Sequence, residues 1–439
     1  MSSDLFAVAK QPSSPDRATK PKNRILAIDG LRAAAFLMVF AFHSWEFGDS
    51  PALRLGPIHL GQYIGRFYSG VDLFMVISGF CLMWPLVSKP KILSSWSWRD
   101  FAARRIRRIV PPYYAAIALL TILPTFLVIL FHVMGKPAKW QELPTPWQFF
   151  THLLFIQTFF LNTWASIEGS LWSLGLEAQF YLVFPLVVLA YRRWGIRTVV
   201  WLSAVSVAYR MIVGYLTRDM EWTIGFLFGI TFIGRWMQFA AGMWAAWVVA
   251  RRTHSGRPFS SLFGAGMLAG FVLVYIAANS EFSNNLRVFP LRDLLLGIGF
   301  SWLTIAACAS TAPGCRLLQN RALTKLGIMS YSMYLLHQNV IYYFGEMLKR
   351  VGHLSGTGRF VVLMTIGFAI VLAVCYPFFK LIEEPFTRAP RPSRRDQELP
   401  APELSLTREP SALQLPARVP TEQGQSQPMV GDRVMSAAV

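Results

Sequence analysis

Apolar residues in this chain are gathered into long runs that are separated by short polar segments. A helix needs about 20 apolar residues to cross the ~30 Å hydrocarbon core of a bilayer. Ten runs reach that length, at residues 25–44, 67–88, 109–134, 171–191, 198–216, 232–250, 261–278, 290–310, 326–345 and 360–382. Because a backbone inside lipid must satisfy its own hydrogen bonds, the pattern predicts an all-α fold, a polytopic transmembrane helical bundle with about ten crossings.

An eleventh apolar stretch, residues 147–161, is shorter and contains His152, Gln157 and Thr158. Its placement follows from the basic residues, because Lys and Arg concentrate in cytoplasmic loops. If the N-terminus is cytoplasmic and this stretch does not cross, the inside segments hold 28 of the 42 Lys and Arg and the outside segments hold nine. We therefore predict a re-entrant or interfacial segment, with both termini on the cytoplasmic side of the inner (plasma) membrane.

The two ends of the chain differ from the apolar region between them. Residues 1–24 are polar and basic, and no signal-peptide cleavage pattern follows them, which predicts a cytoplasmic segment. After Phe386 there is no aromatic residue, and prolines are frequent, so we predict a disordered cytoplasmic tail over 389–439. Residues 25–388 are predicted to form one membrane domain.

The overall composition agrees with a membrane protein. Hydrophobic residues make up 54% of the chain and charged residues 15%, against about 45–50% and about 25% in soluble proteins. The net charge of +19 is thus mainly an orientation signal and does not indicate a nucleic-acid partner. The four cysteines are too widely spaced to predict a disulfide framework or a metal site, and we expect no bound cofactor or metal.

Ionisable residues inside the predicted spans are the candidates for function, because each costs at least ~2.5–3.5 kcal/mol at the bilayer centre. Ten residues separate Arg32 from His43 in the first span. At about 100° and 1.5 Å per residue, the two side chains share one helix face and lie about 16 Å apart along the axis. The alternative is that Arg32 anchors the helix through carbonyl contacts and that His43 reaches the outer interface.

Two acidic residues enter spans at a similar depth to His43. Asp72 begins the second span, where a carboxylate can fix the tautomer of an imidazole and raise its basicity. Asp72 is equally explained as a helix N-terminal residue that the helix dipole favours. Glu177 shares a face with Ser173 and Tyr181 at i, i+4 spacing, in the predicted outer half of its span.

Hydroxyl and imidazole groups also share a face in the ninth span. Ser330, Tyr334 and His337 follow i, i+4, i+7 spacing, and Tyr331 is adjacent. The alternative for the tyrosines is aromatic packing with a satisfied hydroxyl.

Six motifs, taken in order, resemble the integral-membrane acyltransferase 3 family over residues 25 to about 388. They are Arg32 with ten residues to His43, Gly70-Val71-Asp72-Leu73-Phe74 continuing to Ser78-Gly79-Phe80, the basic segment from Arg104 to Tyr113, Trp172-Ser173-Leu174 with Glu177 and Phe180-Tyr181, Ser330 to His337, and Glu383-Glu384-Pro385.

The resemblance implies O-acyl transfer, commonly of acetyl, from acyl-CoA to a hydroxyl of a carbohydrate or glycosylated acceptor, with membrane lipid around the protein. A sugar hydroxyl is a poor nucleophile, and a positioned imidazole accelerates its attack by about 10²–10⁴. His43 is our candidate base, with Asp72 and Glu177 as candidate catalytic partners. Glu177 either orients His43 or His337 or binds acceptor hydroxyls, and its depth favours the acceptor half of the cavity. Ser173, Tyr331, Tyr334 and His337 are candidates for binding the acceptor or the oxyanion.

Basic residues are the candidates for binding the donor. Arg32 is too far along the helix from His43 to share one oxyanion with it, so we assign it to the pantetheine arm or diphosphate of CoA. The segment with Arg104, Arg105, Arg107 and Arg108 either binds CoA phosphates or anchors the chain to anionic lipid headgroups.

Two further interpretations complete the prediction. Arg235, and the sequence neighbours Arg292 and Asp293, are interpreted as structural residues that form a local charge pair or an interfacial anchor. The alternative function is a transporter that uses the buried charges as a substrate or proton path, although the inverted repeats and paired broken helices common in transporters are not evident.

Overall fold

A computed structural model describes residues 25–134, 143–255, 269–270, 272–275, 289–309, 313–351 and 354–387. The helices of its described parts are α1 (Leu26–Phe47), α2 (Leu60–Ile64), α3 (Gly70–Ser88), α4 (Pro90–Ser94), α5 (Trp98–Val133), α6 (Pro146–Leu153), α7 (Trp172–Trp194), α8 (Arg197–Leu216), α9 (Trp222–Gly229), α10 (Trp236–His254), α11 (Phe289–Ala309), α12 (Pro313–Leu318), α13 (Arg321–Val351) and α14 (Gly356–Thr387).

Helices dominate the described residues, which confirms the predicted all-α class. The strands that are described, Arg54–Leu55 and Ile58–His59, form a two-residue antiparallel pair. Helix α14 contains two π-helical turns, at Leu363–Gly367 and Phe379–Glu383. The predicted N-terminal segment and tail lie outside the described residues.

Seven described helical stretches are long and apolar enough to cross a membrane, namely those that contain α1, α3, α5, α7, α8, α11 and α14. This agrees with a multi-pass membrane protein. Helices α10 and α13 correspond to the predicted spans 232–250 and 326–345, and their sequences are more polar. Most of the predicted span 261–278 lies outside the described residues, so the number of crossings stays a prediction.

Two segments differ in detail between sequence and structure. Helix α5 begins at Trp98, where the Ser97 side chain accepts a hydrogen bond from the Asp100 backbone N–H. Its 36 residues rise about 54 Å, more than the ~30 Å hydrocarbon core. The basic segment with Arg104 to Arg108, which precedes the predicted span 109–134, therefore belongs to the first turns of this helix. Helix α6 has eight residues, or about 12 Å, which agrees with a segment that does not cross as a helix.

Close helix contacts hold the centre of the bundle together. Helix α1 packs against both α3 and α13, and α3 packs against α10. Gly79 of α3 and Gly242 of α10 face backbone atoms of the opposite helix, and a Cβ at either position would overlap them. These contacts bring the polar residues of α1, α3, α10 and α13 into one region of the bundle.

Candidate active site

Two cavities open inside the described part of the bundle, and they share part of their walls. The larger, of about 670 Å³, is the His43 cavity; it is lined by residues that include His43, Glu46, Arg66, Asp72, Ser170, Arg210, Arg235, Arg292, Tyr334 and Gln338. The smaller, of about 80 Å³, is the Arg32 cavity; it is lined by residues that include Arg32, Ser78, Cys81, Arg105, Arg108, Ser173, Glu177, Tyr181, Ser330 and Tyr331.

Val71 and Tyr334 line both cavities and form the wall between them. Arg32 and His43 thus face different cavities from one helix. This arrangement agrees with the predicted shared face, on which the helical rise separates the two side chains by about 16 Å.

His43 is partnered by a carboxylate, although not by the predicted one. Its Nδ1 lies 2.9 Å from Oε2 of Glu46, one helical turn later. The His43 ring stacks on Phe47 with ring centroids 5.9 Å apart, and its centroid lies 5.5 Å from that of His337. If Glu46 accepts the Nδ1 proton, Nε2 is the free acceptor of the ring.

Asp72 is held by Arg235, immediately before α10, and by Gln238 of α10, which corrects the expected contact with His43. Its Oδ1 accepts hydrogen bonds from Arg235 Nη1 at 2.9 Å and from Gln238 Nε2 at 3.1 Å. The correction has an electrostatic reason, because a buried carboxylate is better stabilised by a guanidinium than by a neutral imidazole. Asp72 nevertheless lines the His43 cavity.

The Asp72–Arg235 pair belongs to a larger charged cluster. Asp293 Oδ2 lies 2.8 Å from Arg210 Nη2 and 3.3 Å from Arg235 Nη1, and its Oδ1 lies 2.9 Å from Arg292 Nη2. The predicted local pair of Arg292 with Asp293 is therefore present. It is part of a buried network that joins α3, α8, α10 and α11.

Arg32 makes polar contacts at the edge of its cavity. Its Nη1 lies 3.4 Å from Oδ1 of Asp29, and its Nη2 donates to Sγ of Cys81 at 3.3 Å. The guanidinium remains part of the cavity lining.

Glu177 lies in the Arg32 cavity and not in the acceptor half beside His43, where its depth suggested it would lie. Its Oε1 accepts hydrogen bonds from Ser78 Oγ at 3.0 Å and from the Tyr181 hydroxyl. The physical reason is the charge of the lining: Arg105 and Arg108 face the same cavity, and cations stabilise a carboxylate in a low-dielectric site.

The basic segment divides into two faces because it is helical. Arg105 and Arg108, three residues apart, line the Arg32 cavity, whereas Arg104 and Arg107 are exposed. Arg105 also lies over the Tyr181 ring, 5.1 Å from its centroid. Of the five predicted donor-binding arginines, Arg32, Arg105 and Arg108 thus face the cavity and the other two do not.

The residues predicted to bind the acceptor or the oxyanion do not all lie together. Ser173 Oγ lies 2.7 Å from the Tyr334 hydroxyl at the wall between the cavities. The Tyr331 hydroxyl instead donates to the backbone carbonyl of Ile109 at 3.0 Å. His337 does not belong to the lining of either described cavity; its Nδ1 lies 3.0 Å from the Tyr334 carbonyl oxygen, and its buried Nε2 has no partner among the described residues.

The buried carboxylate of Glu168, which precedes α7, holds residues that line the His43 cavity. Glu168 accepts a hydrogen bond from Ser170 Oγ at 2.8 Å and one from Asn339 Nδ2 at 3.4 Å. Burial raises the pKa of the Glu168 carboxyl well above its usual range, and the Ser170 hydrogen bond opposes that shift. Its neighbours Gly169 and Ser170 line the cavity.

Sequence reasoning missed several residues of the His43 cavity. Glu46 and Arg66 gave no signal, because they lie between the predicted spans 25–44 and 67–88, where charged residues are ordinary. Arg210 was visible as a charge inside a predicted span, but its partner Asp293 is 83 positions away. No group of three or more candidate metal ligands occurs among the described residues.

Comparison with known proteins identifies the family. A family model described as an acyltransferase domain matches residues 25–380. The chain belongs to this acyltransferase family, which confirms the resemblance to the acyltransferase 3 family.

Several curated proteins are similar to parts of the chain. The peptidoglycan O-acetyltransferase OatA of Listeria monocytogenes is 30% identical over 174 residues, which cover 38% of this chain and 25% of the relative. A Bacillus subtilis protein named "Putative peptidoglycan O-acetyltransferase YrhL" is 29% identical over 357 residues, 74% of this chain and 49% of that protein. The O-acetyltransferase OatA of Staphylococcus aureus is 27% identical over 44% of this chain and 30% of its own length.

The chain therefore spans about half or less of the length of these relatives. No solved structure matches the chain at a significant level.

Proposed function

We propose that this chain is a membrane O-acyltransferase that transfers an acetyl group from acyl-CoA to a hydroxyl of a carbohydrate. The observation that carries the proposal is the pair of cavities with a common wall at Val71 and Tyr334, one containing an imidazole and the other several guanidinium groups. Peptidoglycan is the candidate acceptor, because two of the relatives above are named for it.

The Arg32 cavity has the charge that a CoA ester requires. Arg105 and Arg108 line it from α5, in the part of that helix that we predict to be cytoplasmic. Guanidinium groups bind phosphate through charge-assisted hydrogen bonds. The pantetheine arm, on the order of 15–20 Å when extended, is comparable to the ~16 Å helical rise between Arg32 and His43, so phosphates held at α5 leave the thioester near the wall.

The His43 cavity supplies the base. In the proposed reaction His43 Nε2 removes the proton of the acceptor hydroxyl while the hydroxyl oxygen attacks the thioester carbonyl and forms the new C–O bond. The C–S bond then breaks and CoA leaves as a thiolate. His43 donates the proton that it took from the acceptor hydroxyl to this thiolate. Glu46 orients the ring and stabilises the imidazolium that forms between the two steps.

The wall supplies the donors for the oxyanion. The Tyr334 and Ser173 hydroxyl groups contact each other at this wall. In the proposed reaction the thioester passes them on its way from the Arg32 cavity towards His43. Preorganised donors of this kind typically contribute a factor of about 10²–10³ to kcat. Acylation would thus take place at the wall, with the donor on one side and the acceptor on the other.

Purified full-length chain in liposomes tests the reaction. Radiolabelled acetyl-CoA and soluble peptidoglycan fragments are supplied, and mass spectrometry follows the gain of one acetyl group. We expect transfer when acetyl-CoA is added to the side of the predicted cytoplasmic termini. Transfer only from the opposite side would overturn the donor route, and no transfer from acetyl-CoA in either orientation would overturn the donor itself.

Cys81 offers a separate measurement of donor binding, because its thiol lines the Arg32 cavity beside Arg32. In a variant with Cys308→Ser, Cys315→Ser and Cys375→Ser, acetyl-CoA should slow the alkylation of Cys81 by N-ethylmaleimide. Free acetate is the control and should not protect. Equal alkylation rates with and without acetyl-CoA would count against this cavity as the donor site.

A further inference from the structure

The lining of the His43 cavity carries more cationic than anionic groups among the described residues. Four arginines line it, namely Arg66, Arg210, Arg235 and Arg292, against the carboxylates Glu46 and Asp72. Both carboxylates already have partners, because Glu46 contacts His43 and Asp72 accepts hydrogen bonds from Arg235 and Gln238.

In the part of the chain that the structure describes, Arg66 is the cation of this lining without a counterion. Among the described residues no hydrogen bond or ion pair is formed by its guanidinium, which is half-buried in the cavity wall. A guanidinium carries five N–H donors and no acceptor, so an unpartnered one in a cavity is a ready site for an anion.

Arg235 adds a second positive charge to the same lining. Its side chain is only 6% exposed, and although Nη1 binds Asp72 and Asp293, the buried Nε has no partner among the described residues. An unsatisfied N–H on a buried cation is costly. The Nε atom itself is enclosed, but Arg235 lines the cavity, so its positive charge stabilises an anion bound there.

Aromatic side chains complete the same cavity. Trp164, Trp172 and Trp222 surround Phe226, with ring centroids between 5.1 and 5.9 Å from it. All four line the cavity. Such a surface offers large apolar faces next to the arginines, the combination expected for a ligand with flat apolar faces and one charged group.

We propose that the His43 cavity selects an acceptor that carries an anionic group, a carboxylate or a phosphate on the sugar. Arg66 binds this group, the positive charge of Arg235 stabilises it, and the aromatic rings pack on the sugar. The proposal rests on the proposed function, in which this cavity receives the acceptor. It deepens that function by naming the acceptor class as an acidic carbohydrate.

Binding of matched small probes tests the selection. N-acetylmuramic acid carries a lactyl carboxylate on O3, and its methyl ester keeps the shape without the charge. N-acetylglucosamine 1-phosphate lacks the lactyl group and carries a phosphate on C1. With the full chain in nanodiscs, we expect the acid to bind at least about tenfold more tightly than the ester, as for hydrogen bonds to a charged group. Tighter binding of the phosphate than of the acid would identify the anion as a phosphate, and the reverse as a carboxylate.

Variants of Arg66 test whether this residue causes the preference for the acid over the ester. Arg66→Gln should reduce the preference for the acid over the ester to about twofold or less. Arg66→Lys should retain most of it, because lysine keeps the positive charge. Arg218→Gln is the matched control, because Arg218 is exposed, pairs with Asp219 and lies outside this lining. Equal binding of acid and ester by the wild-type chain, or an unchanged preference in folded Arg66→Gln, would overturn the inference.

The two proposals fail in different ways. If the chain acetylates neutral and acidic sugars equally well, the inferred selectivity is wrong and the acyltransferase proposal stands. If the chain binds the acid selectively but acetylates no sugar, the acyltransferase proposal is wrong and the anion site stands.

Discussion

The Tyr334 hydroxyl lies 2.7 Å from Ser173 Oγ, and this contact joins α13 to α7 at the wall that separates the two cavities. The Tyr334 ring also lies edge-on to Phe74, with centroids 5.5 Å apart. The hydroxyl is therefore held in place by packing on one side and by a hydrogen bond on the other.

Removal of this hydroxyl should mainly affect the chemical step. We expect Tyr334→Phe to lower kcat about 10²-fold or more, with little change in the KM for acetyl-CoA, because an oxyanion donor acts in the transition state. Tyr343→Phe is the control, since that residue lies on the same helix with its side chain exposed. An unchanged kcat in Tyr334→Phe would exclude it as an oxyanion donor.

The base and its partner should differ in the size of their effects. His43→Ala should lower kcat by about 10²–10⁴, and Glu46→Gln by about tenfold, as for a residue that orients another. Glu346→Gln serves as control, because Glu346 pairs with Lys349 away from both described cavities. Initial rates at saturating acetyl-CoA measure both effects; transfer at the wild-type rate in His43→Ala would exclude His43 as the base.

Substitutions on the two faces of the basic segment should differ in their effect on the KM for acetyl-CoA. Arg105→Ala and Arg108→Ala should each raise the KM for acetyl-CoA by about tenfold or more, the loss expected for a hydrogen bond to a charged group. Arg104→Ala and Arg107→Ala should change it less than about twofold, because both side chains are exposed. Equal effects of all four variants would favour lipid anchoring over phosphate binding.

The predicted orientation can be measured by cysteine labelling. In a chain without its four cysteines, a cysteine introduced at Thr253, at the end of α10, should react with an impermeant reagent only after the cells are opened. A cysteine at the exposed Gln62 should react in intact cells. Labelling of Thr253→Cys in intact cells would reverse the topology.

Glu168 should make the stability of the chain depend on pH. Because burial raises the pKa of this carboxyl in the folded chain, the unfolded chain releases the proton at lower pH than the folded chain does. The free energy of unfolding therefore decreases as the pH rises above the ordinary range of a glutamate. Glu168→Gln does not titrate, so its Tm in detergent should match the wild type near pH 4.5 and exceed it at pH 8; a Tm difference independent of pH would contradict this.

The family and most spans were readable from the sequence. Hydropathy is a local property, so runs of about 20 apolar residues predicted α1, α3 and α7 within a few residues. The start of α5 was missed because the Arg-rich segment that precedes its apolar run resembles a cytoplasmic loop, and nothing in the hydropathy shows that the helix continues through it.

The sequence by itself determined what depends on neighbours along one helix: the common face of Arg32 and His43, and the residue types available for acyl transfer. Only the tertiary structure decided which charges meet. Asp72 lies 163 positions from Arg235 and 99 positions separate Ser78 from Glu177, and helical periodicity carries no information about which helices pack together. Buried charges pair with whatever opposite charge or hydrogen-bond donor the packing brings within reach, because leaving one unpaired in a low-dielectric interior costs several kcal/mol. The partners of Asp72 and Glu177 were therefore fixed by the contacts among α1, α3, α7 and α10, which no local pattern encodes.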